Sequence, residues 1–130
     1  MTDQREGALH GLVVIELGQL IAGPFCGQLL GDMGADVIKV EPPGAGDPMR
    51  LWGQSADKVQ WEVIARNKRS VSANLRVPEG QALVRRLIAG ADVLIENFKP
   101  GTMEKWGLGP DVLHADNPRL IIARMSGYGQ

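Results

Sequence analysis

The chain changes its hydrophobic periodicity again and again, and that alternation constrains its fold more than any other feature. Short apolar, β-branched runs trade places with stretches spaced like helices, the pattern of an α/β fold built on a parallel sheet. Leu12–Leu17 (LVVIEL) suits a strand buried on both faces. Gly18 to Gly23 reads as a loop, and Pro24 stands at the first position of a short helix, FCGQLLGDM, that Gly34 stops. Asp36–Glu41 (DVIKVE) is the second strand, and Glu41–Pro48 (EPPGAGDP) is too rich in Pro and Gly to extend it. Met49 to Arg69 reads as irregular chain with one helix around Trp61–Ala65, followed by a third strand over Ser70–Leu75. Pro78 opens a helix with Ala82, Leu83, Leu87 and Ile88 at helical spacing, and Gly90 ends it. Asp92–Glu96 (DVLIE), a short helix at Pro110–Ala115 and a last strand at Arg119–Met125 complete the series. The sum is a doubly wound, Rossmann-like parallel sheet with flanking helices.

Length and charge narrow the function classes. At 130 residues there is room for one core of modest size. Fourteen Lys and Arg against 15 Asp and Glu leave a formal charge of -1, which supplies no general attraction to nucleic acid or to an anionic membrane. No apolar run reaches the length of a membrane-spanning helix. Met1–Ala8 are mostly polar and mixed in charge and read as an N-terminal tail rather than a signal peptide, so residues 9–130 form the domain. The single Cys26 permits a reducing, cytoplasmic setting. Two His and one Cys lack any metal-binding spacing, so no metal is expected.

In open α/β sheets, ligands gather beyond the carboxyl ends of the strands. The segment GQLIAGPFCG occupies that place after the first strand, and Gly18 and Gly23 permit tight turns and close approach. It reads either as a nucleotide or phosphate cradle or as a plain strand-to-helix turn. Gly18 and Gly23 do not make GxGxxG, and no Gly-Lys-Ser/Thr is present, which excludes the dinucleotide fingerprint and the Walker A loop. Glu41 does stand where an NAD domain places its ribose-binding acid, which keeps NAD as a rival ligand. Arg66, Lys68, Arg69, Arg76, Lys99 and Lys105 cluster around two strand-associated loops and are either anion partners or solvated charges. Cys26 lies near a helix start, but no His is close in sequence to act as its base.

Several segments, in order, are similar to those of the family III CoA-transferases, a group that includes formyl-CoA and carnitine CoA-transferases and the α-methylacyl-CoA racemases. They are Ala22-Gly23-Pro24; Gly34-Ala35-Asp36-Val37-Ile38-Lys39-Val40-Glu41; Gly46-Asp47-Pro48; Arg66-Asn67-Lys68-Arg69-Ser70; Glu96-Asn97-Phe98 with Pro100-Gly101; and Asn117-Pro118-Arg119 leading to Ser126-Gly127-Tyr128-Gly129. The resemblance implies that this is the N-terminal part of the family's large, Rossmann-like domain, with coenzyme A or acyl-CoA as substrate. It implies that Leu20, Ile21 and Ala22 lie against adenosine and the pantetheine arm. By the same resemblance Ala73 and Arg76 match positions at the nucleotide end of CoA, Asn97 and Phe98 match a pair that lines the pantetheine channel, and Lys105 takes a position where a basic residue meets the CoA phosphates. The sequence departs from some members at Ile21, where they carry Gln, and at Pro42, where they carry Arg.

The same resemblance implies an activity. Family members move CoA between an acyl-CoA and a carboxylic acid through an aspartate carboxylate, and similar proteins are interlocked homodimers. That Asp is expected beyond Gln130, so no catalytic residue is assigned here and the 130-residue chain alone is expected to be inactive, marginally stable or prone to associate. The alternatives are the racemase reaction, a non-catalytic CoA-binding remnant and an NAD domain.

Overall fold

The computed structural model describes residues 7–53 and 59–130. Five strands form one sheet: β1 (Val13–Glu16), β2 (Asp36–Glu41), β3 (Lys68–Ser72), β4 (Val93–Glu96) and β5 (Ile121–Arg124). All four pairings are parallel and the order is β3-β2-β1-β4-β5. The chain works outward from β1 to one edge, then crosses back to build the other half from β4. The doubly wound expectation holds, and the reversal of strand order falls between β1 and β4.

The helices are α1 (Ala22–Asp32), α2 (Val59–Ala65), α3 (Pro78–Ala89), α4 (Thr102–Lys105) and α5 (Pro110–Asp116), with a 3-10 turn at Pro48–Leu51. Strand alternation splits the core in two. Ile15, Leu17, Val40 and Leu94 pack with Val84 and Ile88 of α3, Met103 of α4 and Leu113 of α5. On the other face Val14, Val37 and Ile95 pack with Ala35 and, at the margin, Leu9, Cys26 and Leu30. Asp92 pins the start of β4 to β1 by accepting from the Val13 amide at 2.9 Å.

Three elements differ from the reading of the sequence. The third strand begins at Lys68 rather than Ser70, because the basic residues that open it pair in register with Val37 and Ile38 of β2. Helix α1 starts two residues before Pro24, which the first turn tolerates because its amide would lack an intrahelical partner there. Helix α4, inside the stretch after NFKPG, has too little sequence for a period to show. In α3 the buried positions are Val84 and Ile88, with Leu83 and Leu87 half-buried, whereas Ala82 is exposed.

Candidate functional site

Each of the three central strands ends in a buried glutamate: Glu16 on β1, Glu41 on β2 and Glu96 on β4. A buried carboxylate is costly unless it is paired and hydrogen-bonded, and each one is. Lys39 Nζ lies 2.8 Å from Glu16 Oε1 and 2.7 Å from Asp47 Oδ2. Lys68 Nζ lies 2.7 Å from Glu16 Oε2 and donates to the Pro24 carbonyl at 2.6 Å. Glu41 accepts from Arg50 Nε and Nη2 at 2.7 and 2.8 Å, from Ser70 Oγ at 2.7 Å and from the Asp47 amide at 2.9 Å. Glu96 is paired with Arg124 at 2.7 Å and accepts from the Phe98 amide at 2.8 Å. Arg50 also stacks over Trp61 at 4.0 Å.

These pairs act on the ionisation of their members. Burial pushes the Glu41 carboxyl up, but the hydrogen bonds from Arg50, Ser70 and Asp47 outweigh it and bring its pKa down to about 2. Burial lowers the Lys68 ammonium, with Glu16 pulling the other way. Burial and the Glu16 charge raise the half-buried Cys26 thiol, the opposite of what a nucleophilic cysteine needs. Glu41 is thus consumed inside the fold, and the ribose-binding role that kept NAD as a rival has no free carboxylate here.

The loop after β1 is held on this ionic floor. Lys39 donates to the Gly18 carbonyl at 2.9 Å, and Asp47 Oδ1 accepts from the Leu20 amide at 3.1 Å. Gly18 and Gly23 approach so closely that a Cβ on either would lie 2.8 Å from the other's Cα. Leu20 takes the left-handed φ of 62°, a conformation that a residue with a bulky side chain seldom adopts. Asn97, just past β4, closes the gap across the switch point. Its Oδ1 accepts from the Gln19 amide at 2.7 Å and its Nδ2 donates to the Gln19 carbonyl at 2.9 Å.

The sequence-derived site residues all follow the carboxyl ends of strands. Leu20, Ile21 and Ala22 follow β1 and are exposed. Asn97 and Phe98 leave β4 beside them. The Asn97 amide is spent on Gln19, and the Phe98 ring packs edge-on against Trp106 with centroids 5.1 Å apart. Ala73 is buried after β3 and extends its pairing by donating to the Glu41 carbonyl at 3.0 Å. Arg76 and Lys105 are exposed on the connections from β3 and β4.

The basic cluster of the sequence reading divides. Arg66 pairs with Asp32, and Arg69 with Asp36 at the start of β2, so both lie toward the amino edge of the sheet. Lys68 is buried in the ionic floor, which leaves Arg76, Lys99 and Lys105 as the exposed cations of the six on connections from the carboxyl edge. The ion pairs of Glu16, Lys39 and Asp47, and separately of Glu96, were not singled out from the sequence. Glu16, Lys39 and Glu96 stand out as charged residues inside otherwise apolar strands, whereas Asp47, outside every strand, gives no such sign. Among the described residues no group of His, Cys, Asp and Glu could hold a metal ion, and no helix is long and apolar enough to cross a membrane.

Comparison with known proteins places this architecture. The model of CoA-transferase family III matches residues 9–130. The chain is 62% identical over 125 residues to the succinyl-CoA–D-citramalate CoA-transferase of Chloroflexus aurantiacus, covering 94% of this chain and 31% of that protein. It is 46% identical over 124 residues to the human α-methylacyl-CoA racemase, covering 95% of this chain and 29% of that one. Among solved structures, a CAIB/BAIF family protein from Brucella suis superposes with a TM-score of 0.84 at 47% identity, over 91% of this chain and 33% of that chain. The chain therefore spans about a third of the length of the relatives it matches. With a family match over nearly its whole length and a sheet of the same build, the chain belongs to CoA-transferase family III.

Proposed function

We propose that these residues form the CoA-receiving part of a CoA-transferase that moves CoA from an acyl-CoA, succinyl-CoA foremost, to a carboxylic acid. The observation that carries the reading is the junction at the reversal of strand order, where Asn97 after β4 holds Gln19 in the loop that leads to the exposed Leu20–Ala22. The exposed cations Arg76 and Lys105 lie on the connections that leave β3 and β4, and CoA brings a diphosphate and a 3′-phosphate that require such partners.

The four buried carboxylates of this edge, Glu16, Glu41, Asp47 and Glu96, are all bonded within the fold. The reading takes the nucleophilic aspartate that the family resemblance implies to lie in polypeptide outside these 130 residues. Its carboxylate attacks the thioester to give a mixed anhydride and CoA thiolate. The thiolate then attacks the aspartyl carbonyl, releasing the donor acid and leaving an aspartyl-CoA thioester. The acceptor carboxylate attacks that thioester to form a second anhydride, and the thiolate takes the acceptor acyl group, restoring the aspartate. A homodimer of the whole protein goes with the same reading.

The test is acceptor dependence in the whole protein. Succinyl-CoA with citramalate is expected to yield succinate and citramalyl-CoA, with no loss of succinyl-CoA when the acceptor is omitted. The 46% identity to a racemase supports a second reading. Exchange of the α-proton of a 2-methylacyl-CoA without any acceptor would establish it and overturn transfer.

A further inference from the structure

Asp47 lies 31 residues downstream of Glu16 and outside every strand, yet it is among the most deeply buried charged residues of the chain, at 1% exposure. Its two oxygens serve different purposes. Oδ2 is the counter-ion of Lys39 at 2.7 Å. Oδ1 accepts from the Met49 amide at 2.8 Å, capping the 3-10 turn, and from the Leu20 amide at 3.1 Å. Leu20 is the residue of the β1–α1 loop that carries the left-handed backbone, and the exposed Ile21 and Ala22 follow it directly into the start of α1. A strained backbone persists where surrounding bonds over-determine it. Lys39 holds Gly18 and Asn97 holds Gln19, but the bond at Leu20 itself comes from Asp47, 27 residues away in sequence.

We infer that Asp47 is a positioning residue for acyl-CoA binding: through Oδ1 it holds the Leu20 amide and so sets the pose in which the Gly18–Ala22 loop receives the ligand. The inference rests on the reading of this loop as part of a CoA site. The lysine contact is separable from this role. Besides Asp47, Lys39 has Glu16 at 2.8 Å and the Gly18 carbonyl at 2.9 Å as partners. The Leu20 amide has Asp47 as its acceptor.

The experiment uses the whole protein with succinyl-CoA as probe, and compares Asp47→Ala with Asp47→Asn. Alanine removes the acceptor, whereas asparagine keeps an oxygen for Leu20 and loses only the charge. Asp47→Ala is expected to raise KM for succinyl-CoA about tenfold with kcat within about threefold, the size set by one lost buried hydrogen bond. Hydrogen exchange at the Leu20 amide should accelerate in parallel. Asp47→Asn should restore most of the KM and the amide protection. Equal KM increases in both variants would overturn the inference, since Asp47 would then act only as the counter-ion of Lys39. So would a fall in kcat at constant KM, the mark of a smaller folded fraction. If Asp47→Ala does not fold, Asp47→Asn decides alone: retained Leu20 protection supports the role and lost protection refutes it. If the unsubstituted protein neither binds nor turns over succinyl-CoA, the CoA reading falls, and Leu20 exchange still decides whether Asp47 holds the loop.

Discussion

Glu41 shows how one side chain is given a structural use that its position in the sequence disguises. At the end of β2 it stands where an acid could meet a ribose, but four donors reach it from the segment after it and from β3. Its folded pKa of about 2 lies below the ordinary value of 4.5, so the folded state favours the ionised form. The stability this contributes is fully present above pH 4.5 and is lost as the pH falls from there through about 2. Urea unfolding followed between pH 6 and pH 2 should show that loss in the native chain. Glu41→Gln should be less stable by a few kcal/mol at pH 6 and show a shallower fall on the acid side. Parallel acid limbs in the two proteins would show that Glu41 makes no such contribution. The residues read correctly from the sequence were those with a backbone reason, such as Pro78 and Gly90 at the ends of α3. A buried ion pair such as Lys39 with Glu16 has no such local sign, because its partner is on another strand.

Helix α1 inverts the usual arrangement of a surface helix. Its buried face is Gly23, Gly27 and Gly31 at four-residue spacing, with Pro24 and Gln28. The large apolar residues Phe25 and Leu29, with Ile21 and Met33 flanking the helix at the same spacing, are 50%, 42%, 48% and 51% exposed. The glycines let the helix lie close against the end of β1: a Cβ at Gly27 would sit 2.0 Å from Glu16 Oε2. Periodicity alone assigns the apolar row to the core, and only packing against β1 shows that the small row goes there. At this scale Asn97 joins two elements, the loops after β1 and β4. Asn97→Ala should remove both bonds to Gln19 and destabilise the chain by about 1–3 kcal/mol. Hydrogen exchange should quicken at the Gln19 amide and leave the central strand amides protected. Unchanged Gln19 exchange would mean that the two loops are held together by other contacts.

For the molecule as a whole, the consequence is a sheet with a finished interior and an unfinished exterior. The apolar row of α1 faces solvent, and Val59 and Val63 of α2, the helix packed beside it, are also about half exposed. Apolar rows of this size on a folded surface drive association. The 130-residue chain should therefore sediment faster as its concentration rises, and Phe25→Glu, in an exposed position, should reduce the effect without lowering Tm by more than a few degrees. A concentration-independent monomer would show that the row is not an adhesive surface.

What the sequence determined by itself was the kind of fold and the family to which it belongs. Strand and helix periods are local, and five alternating segments admit few arrangements other than a doubly wound sheet. The segment pattern from Ala22-Gly23-Pro24 to Ser126-Gly127-Tyr128-Gly129 is likewise a property of order along the chain. The tertiary structure decided which charges serve the fold and which remain free. Arg66, Lys68 and Arg69 differ in use from Arg76, Lys99 and Lys105, because pairing with Asp32 and Asp36 holds two at the amino edge and Glu16 draws one inward. Register and burial arise from pairings between residues tens of positions apart, and such pairings leave no mark in any local window of sequence.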